Sequence, residues 1–102
     1  MNPEPFLQID RVIHEKGRLG ILAALASSSE LSFTEIRTLL KMTDGNLTTH
    51  IRTLQEAGFV RVTKLYRDQR PLTLCSLTES GRSAFARQVD LLAQIVADAR
   101  KS

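Results

Sequence analysis

The side chains best suited to chemistry follow Thr43 and recur at the spacing of one helix, residues 44–57. Leu47, Ile51 and Leu54 define an apolar face at about 100° per residue, so the polar side chains lie opposite it. That polar face consists of Gly45, Asn46, Thr49, Arg52, Thr53 and Glu56. Small residues at the start of a helix, followed by amide, hydroxyl and guanidinium groups, suit contact with base edges in the DNA major groove. An ordinary amphipathic helix with a solvated face is the alternative. The predicted base contacts are Asn46, Thr49, Arg52 and Thr53.

A second group of side chains has the chemistry to hold phosphates beside that helix. Hydroxyl, imidazole and ammonium groups donate hydrogen bonds to phosphate oxygens, which orient a protein on a duplex. The predicted backbone contacts are Thr43, Thr48, His50 and Lys64. Arg67 and Arg70, in the turn-like segment 67–71 of the predicted wing 64–72, could enter the minor groove or hold phosphates. A polar turn kept soluble by its charge is the alternative for these two arginines.

The sequence lacks the residue patterns that metal binding, cofactor binding and catalysis would require. The chain has one cysteine, Cys75, and two histidines, His14 and His50, without the spacing of a metal site. It carries no P-loop, nucleophile elbow or dinucleotide-binding fingerprint. We therefore predict no enzymatic activity, metal site or cofactor, and we expect Cys75 to pack as a small core residue.

The elements that must position these side chains begin with a helical region over residues 6–30. Phe6, Ile9 and Ile13 recur at helical spacing, and a similar apolar pattern returns from Leu19. The two prolines before Phe6 should keep the first five residues extended. We predict that the apolar residues at the start of this region also contribute to a contact between protomers.

A helix-turn-helix unit is predicted over residues 32–58. Ser32 and Glu35 have the spacing of a capping box, in which each side chain bonds the backbone N–H of the other residue. Thr43 is a second N-cap candidate, and Gly58 suits the position just after a helix. Two capped helices joined by a tight turn make the helix after Thr43 the recognition helix.

Two strands joined by a turn are predicted over residues 59–77. Val60 and Val62 alternate with polar residues, and Leu72 and Leu74 do so again. A hairpin directly after a helix-turn-helix is typical of a winged helix. The predicted fold class is therefore mainly α with a small β-hairpin wing, in the order helix, helix, helix, hairpin, long C-terminal helix.

A long last helix is predicted over residues 78–100, capped by Thr78. Its apolar residues form two neighbouring stripes, whereas a surface helix of a small domain needs only one. We therefore predict that one stripe packs on the domain and the other on a second copy of the chain. The predicted dimer contacts are Phe6, Ile9, Ile13, Phe85, Val89, Leu92, Ile95 and Val96. A helix sunk more deeply in its own domain is the alternative.

Composition and charge are those of a globular and mildly basic protein. With 42% hydrophobic and 25% charged residues, positions 1–102 are expected to form one winged-helix domain. Residues 33–77 hold seven basic and four acidic residues, a net of +3, which weakly favours a polyanionic partner. No apolar run is long enough to span a membrane, and the N-terminus does not resemble a signal peptide. We therefore expect a cytoplasmic protein without a membrane partner.

Three stretches of the chain carry the motifs of a known family. They are residues 12–25, 42–60 and 70–85. Within them, Thr-Asp-Gly-Asn-Leu at 43–47 and Leu-Thr-Glu-Ser-Gly-Arg at 77–82 are specific in this order and spacing. In these stretches the chain resembles the stand-alone winged-helix transcriptional regulators related to the MarR type.

The resemblance implies a homodimeric DNA-binding repressor or activator in a prokaryotic cytoplasm, with double-stranded DNA as its partner. It implies recognition by the helix that starts at Thr43, wing contacts near Arg70, and dimerisation through the terminal helices. It also allows a small-molecule effector between the DNA-binding and dimerisation parts, although no residue identifies one. The aromatic residues that could line such a cavity, if they are not ordinary core, are Phe6, Phe33, Tyr66 and Phe85.

The predicted wing departs from the family pattern, because residues 65–69 are less basic and more apolar than expected. Leu65 and Tyr66 are therefore expected to be packing residues, and the strength of the wing contacts stays open. The low net charge and the modest wing also leave a second hypothesis, in which the same surfaces dock another protein. A steep fall of DNA affinity with salt would separate the two hypotheses, since phosphate contacts release counterions.

Overall fold

Five helices and three strands make up residues 1–101, which are the residues that the computed structural model describes. In chain order the elements are α1 (Glu4–Leu7), α2 (Lys16–Ala26), β1 (Leu31–Ser32), α3 (Phe33–Leu40), α4 (Asp44–Glu56), β2 (Val60–Arg67), β3 (Arg70–Leu77) and α5 (Glu79–Arg100). The strands form one antiparallel sheet in the order β1-β3-β2. The predicted fold class is confirmed, because a helix-turn-helix (α3 and α4) is followed by a hairpin wing (β2 and β3) and a long last helix. Only Ser102 of the predicted domain lies outside the described residues.

The first residues of the chain form a short helix where the sequence predicted an extended segment. Pro3 is the N-cap of α1, and Pro5 lies in its first turn. Proline suits this place because its φ is already helical and its missing N–H would have had no partner there. The prolines therefore start the helix instead of preventing it.

The predicted helical face of Phe6, Ile9 and Ile13 does not form, because the chain turns after α1. The Asp10 side chain accepts hydrogen bonds from the N–H groups of Val12 at 2.8 Å and Ile13 at 3.4 Å. A side chain that bonds the backbone two and three residues ahead replaces helical bonds with a turn. This turn directs Ile13 into the core, where it has no exposed surface.

Both predicted caps of the helix-turn-helix are present. The Glu35 N–H donates to Ser32 Oγ at 3.0 Å, and the Ser32 N–H donates to Glu35 Oε1 at 2.9 Å. At the start of α4, the Asn46 N–H donates to Thr43 Oγ1 at 3.1 Å. Beyond its end, Gly58 has a φ of +82°, which glycine adopts without strain. The predicted bounds of α4 are correct to within one residue.

Strand β1 is an element that the sequence did not predict. Leu31 pairs with Cys75 and Ser32 with Leu74, so the start of α3 is joined to the wing. A strand of two residues is too short to show the alternation by which strands are recognised in a sequence.

The hydrophobic core lies between α2, α4 and the base of the hairpin. From α4 it receives Leu47, Ile51 and Leu54, as predicted. Its other buried members are Ile13, Ile21, Leu22, Leu25, Ile36, Val60, Cys75 and Leu77. Burial raises the pKa of the Cys75 thiol, so Cys75 is a protonated packing residue of the kind expected.

Helix α5 packs on the rest of the molecule along most of its length, and near its end the Asn2 N–H donates to Asp98 Oδ2 at 3.2 Å. Its buried residues are Gly81, Gln88 and Leu91. The Asp10 N–H donates to Gln88 Oε1 at 2.9 Å, and Gln88 Nε2 donates to the Asp10 carbonyl oxygen at 3.2 Å. A buried amide that both accepts and donates is satisfied, so this pair fixes the N-terminal segment alongside α5.

Candidate nucleic-acid interface

The recognition helix α4 presents most of its predicted base-contacting residues to solvent. Asn46, Thr49 and Arg52 are exposed, whereas Thr53 is half-buried. Nothing lies within 4 Å of the position that a Cβ would take at Gly45. The first turn of α4 is therefore open enough for a close approach to another surface.

Two threonine hydroxyls on this face donate to the backbone of their own helix. Thr49 Oγ1 donates to the Gly45 carbonyl oxygen at 3.0 Å, and Thr53 Oγ1 donates to the Thr49 carbonyl oxygen at 3.1 Å. The remaining capacity of each hydroxyl is to accept, and each side chain also carries a methyl group. These threonines suit base amino groups and the thymine methyl better than they suit base carbonyl oxygens.

A cleft between α4 and the wing brings together residues that the sequence assigned separately. Thr48 and Arg52 line it from α4, and Lys64 lines it from β2. The cleft has a volume of about 370 Å³. Gln55 and Thr73 also line it, and sequence reasoning missed both. Gln55 follows Arg52 by three residues on the helix, and Thr73 lies directly opposite Lys64 in the hairpin, so spacing and register could have found them.

The start of α4 carries an ion pair that balances its acidic first turn. Arg37 Nη1 of α3 lies 3.0 Å from Asp44 Oδ1. Asp44 suits the helix N-terminus electrostatically, but its carboxylate alone would repel a phosphate. The Arg37 guanidinium offsets that charge, a role that was not predicted from the sequence.

His50 lies on the side of α4 that faces α2 and is less exposed than the other predicted phosphate contacts. Its side chain is only 20% exposed, and Nε2 lies 3.6 Å from Glu15 Oε2. A Cβ on Gly17 would stand 2.8 Å from the same nitrogen, so α2 approaches the imidazole closely. The helical wheel placed His50 on a flank but could not show that α2 covers this flank.

The wing tip is a two-residue turn between Arg67 and Arg70. Asp68 and Gln69 have φ values of 53° and 63°, the pair of left-handed residues that defines a type I′ hairpin turn. The predicted turn is thus confirmed, and both arginines are exposed beside it. Their charge is available to a polyanion.

The predicted dimer contacts differ in exposure. Val89 is 44% exposed, Val96 is 49% exposed and Phe6 is 58% exposed. The half-buried members of the set are Ile9, Phe85, Leu92 and Ile95. Ile13 has no exposed surface, so it belongs to the core and its prediction as a contact residue is corrected.

The four aromatic residues considered for an effector cavity do not share one. Phe6 lines a cavity of about 730 Å³ with Leu92, Ile95 and other residues, between the N-terminal segment and α5. Phe33 lies at the cleft beside the wing, and Phe85 packs against the core. The other member of the set, Tyr66 on the wing, is 75% exposed, so the expectation that it packs is wrong.

Within residues 1–101, no helix is both long enough and apolar enough to cross a membrane. The same residues contain no group of three or more histidine, cysteine or carboxylate side chains arranged to hold a metal ion.

Comparison with known proteins identifies related chains. Residues 18–96 match the model of the family described as "Winged helix DNA-binding domain". An uncharacterised protein of Methanocaldococcus jannaschii is 32% identical over 85 residues, which cover 83% of this chain and 92% of that protein.

Solved structures show the same fold. A transcriptional regulator homologue from Pyrococcus horikoshii OT3 has a TM-score of 0.89 and 30% identity, with 94% of this chain and 97% of that chain covered. A MarR-family regulator from Enterococcus faecalis V583 has a TM-score of 0.75 and 22% identity, with 88% and 81% covered. The second likeness bears on the fold alone.

Proposed function

Since this chain belongs to the winged-helix DNA-binding domain family and is a transcriptional regulator instead of an enzyme, we propose that it acts as a homodimer on a specific operator. The observation that carries the proposal is the cleft in which Thr48 and Arg52 of α4 meet Lys64 of the wing. A helix that enters the major groove has the wing beside it in this arrangement, so base and phosphate contacts can form together.

The proposed roles follow the exposure of the side chains. Asn46, Thr49 and Arg52 contact base edges, and the half-buried Thr53 contributes at the margin of the same face. The residues proposed to hold phosphates are Thr43, Thr48 and Lys64, with Arg67 and Arg70 acting from the wing tip. His50 positions α4 against α2.

The homodimer is supported by the apolar surface that one protomer leaves exposed. Val89, Leu92 and Val96 recur at intervals of three and four along α5, so they share one face of the helix. Val89 and Val96 are nearly half exposed on this face, and Phe6 of α1 is more than half exposed. A second copy that packs on this surface would bury it and would set two recognition helices against two half-sites.

Selection of bound duplexes from a random DNA pool, at near-physiological salt, tests the proposal. We expect an enriched inverted repeat whose half-sites lie one or two helical turns apart. Affinity for the enriched duplex should fall steeply with salt, with a slope of about −0.9 per phosphate contact. Absence of both enrichment and salt-sensitive binding would contradict the proposal and would favour the docking of another protein.

Replacement of Arg52 tests the base contact directly. Arg52→Ala should weaken binding to the selected operator by about 1–3 kcal/mol and relax the preference at one position of each half-site. Arg61→Ala is the matched control, because Arg61 is an exposed arginine on the opposite face of β2 from Lys64. Equal affinity and equal preference for wild type and Arg52→Ala would remove Arg52 from the proposed base contacts.

A further inference from the structure

The two faces of the wing carry different chemistry. Residues directly opposite each other in an antiparallel pair lie on the same face, and successive residues alternate between faces. Lys64 and Thr73 are paired and both line the cleft beside α4. Two residues closer to the tip, Tyr66 is paired with Pro71, so this pair continues the same face outwards. That face therefore runs from the recognition helix to an aromatic and a proline side chain.

The Tyr66–Pro71 pair is an exposed apolar surface with no cover in the protomer. Tyr66 is 75% exposed, and Pro71 is exposed as well. Arg67 and Arg70 flank the two-residue turn and form a hydrogen-bonded pair, so the next pair inwards is of the closer, non-hydrogen-bonded kind. The backbone nitrogen of Pro71 therefore points away from β2, towards the free edge of the wing. A proline at this position removes no hydrogen bond between the strands. The hairpin tip can therefore form although the side chains of this apolar pair are not buried in the fold.

Positive charge lies next to this pair. Lys64 lies on the same face, two residues inwards on β2, whereas Arg67 and Arg70 adjoin the pair at the tip on the opposite face. Asp68 is the one acidic residue of the hairpin. An apolar pair with a lysine on its own face and two arginines at the adjoining tip complements a deoxyribose between phosphates better than it complements another protein's apolar surface. The patch is also continuous with the cleft that holds Arg52.

We propose that Tyr66 and Pro71 are the wing's own DNA contact, an apolar pair seated against the sugar wall of the minor groove. The Tyr66 hydroxyl donates to a phosphate oxygen, as tyrosine does in protein–DNA complexes, while its ring and Pro71 cover the sugar. The proposal rests on the proposed function and adds to it an uncharged contact that the basic residues cannot supply.

Tyrosine fluorescence provides a direct test, because the chain has one tyrosine and no tryptophan. All intrinsic emission on excitation of tyrosine therefore comes from the wing. In the free protein, acrylamide should quench Tyr66 efficiently, as its exposure predicts. Addition of the selected duplex should reduce quenching several-fold. Unchanged quenching in the saturated complex would overturn the proposal, and protection already present without DNA would show that a second copy covers the wing instead.

Substitutions separate the ring from the hydroxyl. Tyr66→Ala should weaken operator binding by about tenfold, equivalent to about 1.4 kcal/mol. Tyr66→Phe should weaken it by about threefold, because only the hydrogen bond is lost. Neither should change the salt slope, whereas Lys64→Ala should reduce the slope by about one. Thr63→Ala, exposed on the opposite face of β2, is the control and should bind as wild type.

The outcomes distinguish this inference from the proposed function. Wild-type affinity in Tyr66→Ala, together with loss in Arg52→Ala, would overturn the wing contact and leave the operator proposal standing. No binding of the wild type to any selected duplex would overturn the operator proposal itself. Because Tyr66 is exposed, its substitution should leave the Tm unchanged, and the Tm checks that any loss of affinity is not a loss of fold.

Discussion

At the scale of single residues, Gly81 shows how a motif position is dictated by backbone packing. The first turn of α5 lies against the end of the loop before β2, where Thr78 Oγ1 donates to the Gly58 carbonyl oxygen at 2.6 Å. A Cβ on Gly81 would overlap the Phe59 carbonyl oxygen and would stand 2.8 Å from the Phe59 carbonyl carbon. Backbone cannot move aside as a flexible side chain can, so only glycine fits this close approach.

Replacement of Gly81 should therefore destabilise the fold. Gly81→Ala is expected to lower the free energy of unfolding by about 3 kcal/mol, the upper part of the range for overpacked sites, measured by urea denaturation. Gly45→Ala is the matched control, because nothing lies near its Cβ position and alanine favours helix. The control should raise stability by up to about 1 kcal/mol. Equal stability of Gly81→Ala and wild type would show that α5 shifts without cost.

The residue scale is also where sequence reasoning is least complete. The polar face of α4 was predictable, because three buried residues define the direction of all the others. The surroundings of His50 and Tyr66 were not, because they depend on how α2 and the wing approach α4. His50 lies against α2 and Tyr66 faces solvent, and neither neighbourhood is contained in the local spacing.

At the scale of elements, helix caps were the most reliable signal in the sequence. Ser32, Thr43 and Thr78 each accept a backbone N–H as predicted, since capping involves residues only three apart. Strand β1 was not predictable, because its pairing partners in β3 lie more than 40 residues further along the chain. The turn at Asp10 was not predictable, because the apolar pattern there also allows a helix. The cap of α2 by Glu15 was missed for a related reason, since a glutamate is an uncommon cap.

The Glu15 cap should make stability depend on acid pH. Burial raises the pKa of Glu15, but hydrogen bonds from the N–H groups of Arg18 and Gly17 and the charge of His50 outweigh it, so its pKa lies below the ordinary value of 4.5. A carboxyl with a lowered folded-state pKa stabilises the fold above its unfolded pKa, and this contribution is lost as the pH falls through the folded pKa. Between about pH 5 and 3, the stability of Glu15→Gln should therefore fall less steeply than that of wild type.

Urea denaturation across this pH range measures the difference. Glu30→Gln, in the exposed loop before β1, controls for the removal of one carboxylate. A fall for Glu15→Gln as steep as that of wild type would mean that the cap contributes equally in both protonation states.

At the scale of the whole molecule, the protomer is longer than a globule of its size. Its radius of gyration is 15.3 Å and its principal extents are 57 × 25 × 21 Å, whereas a compact chain of this length has a radius near 13 Å. Along α5, no residue after Leu91 is buried within the protomer. This helix of 22 residues is about 33 Å long, and its last nine residues are exposed or only partly covered by the N-terminal segment.

A charge placed on the exposed stripe of α5 should separate the proposed homodimer. Val96→Glu puts a carboxylate where an apolar interface would exclude water, and an unpaired buried charge costs several kcal/mol. In sedimentation equilibrium at micromolar concentration, we expect a dimer for wild type and a monomer for Val96→Glu. Gln94→Glu adds the same charge at an exposed site on another side of the helix and should remain dimeric.

The monomeric variant should also lose operator affinity, because one recognition helix then binds without the second. A dimer that persists in Val96→Glu would place the contact between protomers elsewhere, and a monomeric wild type would leave the far half of α5 without a role in self-association.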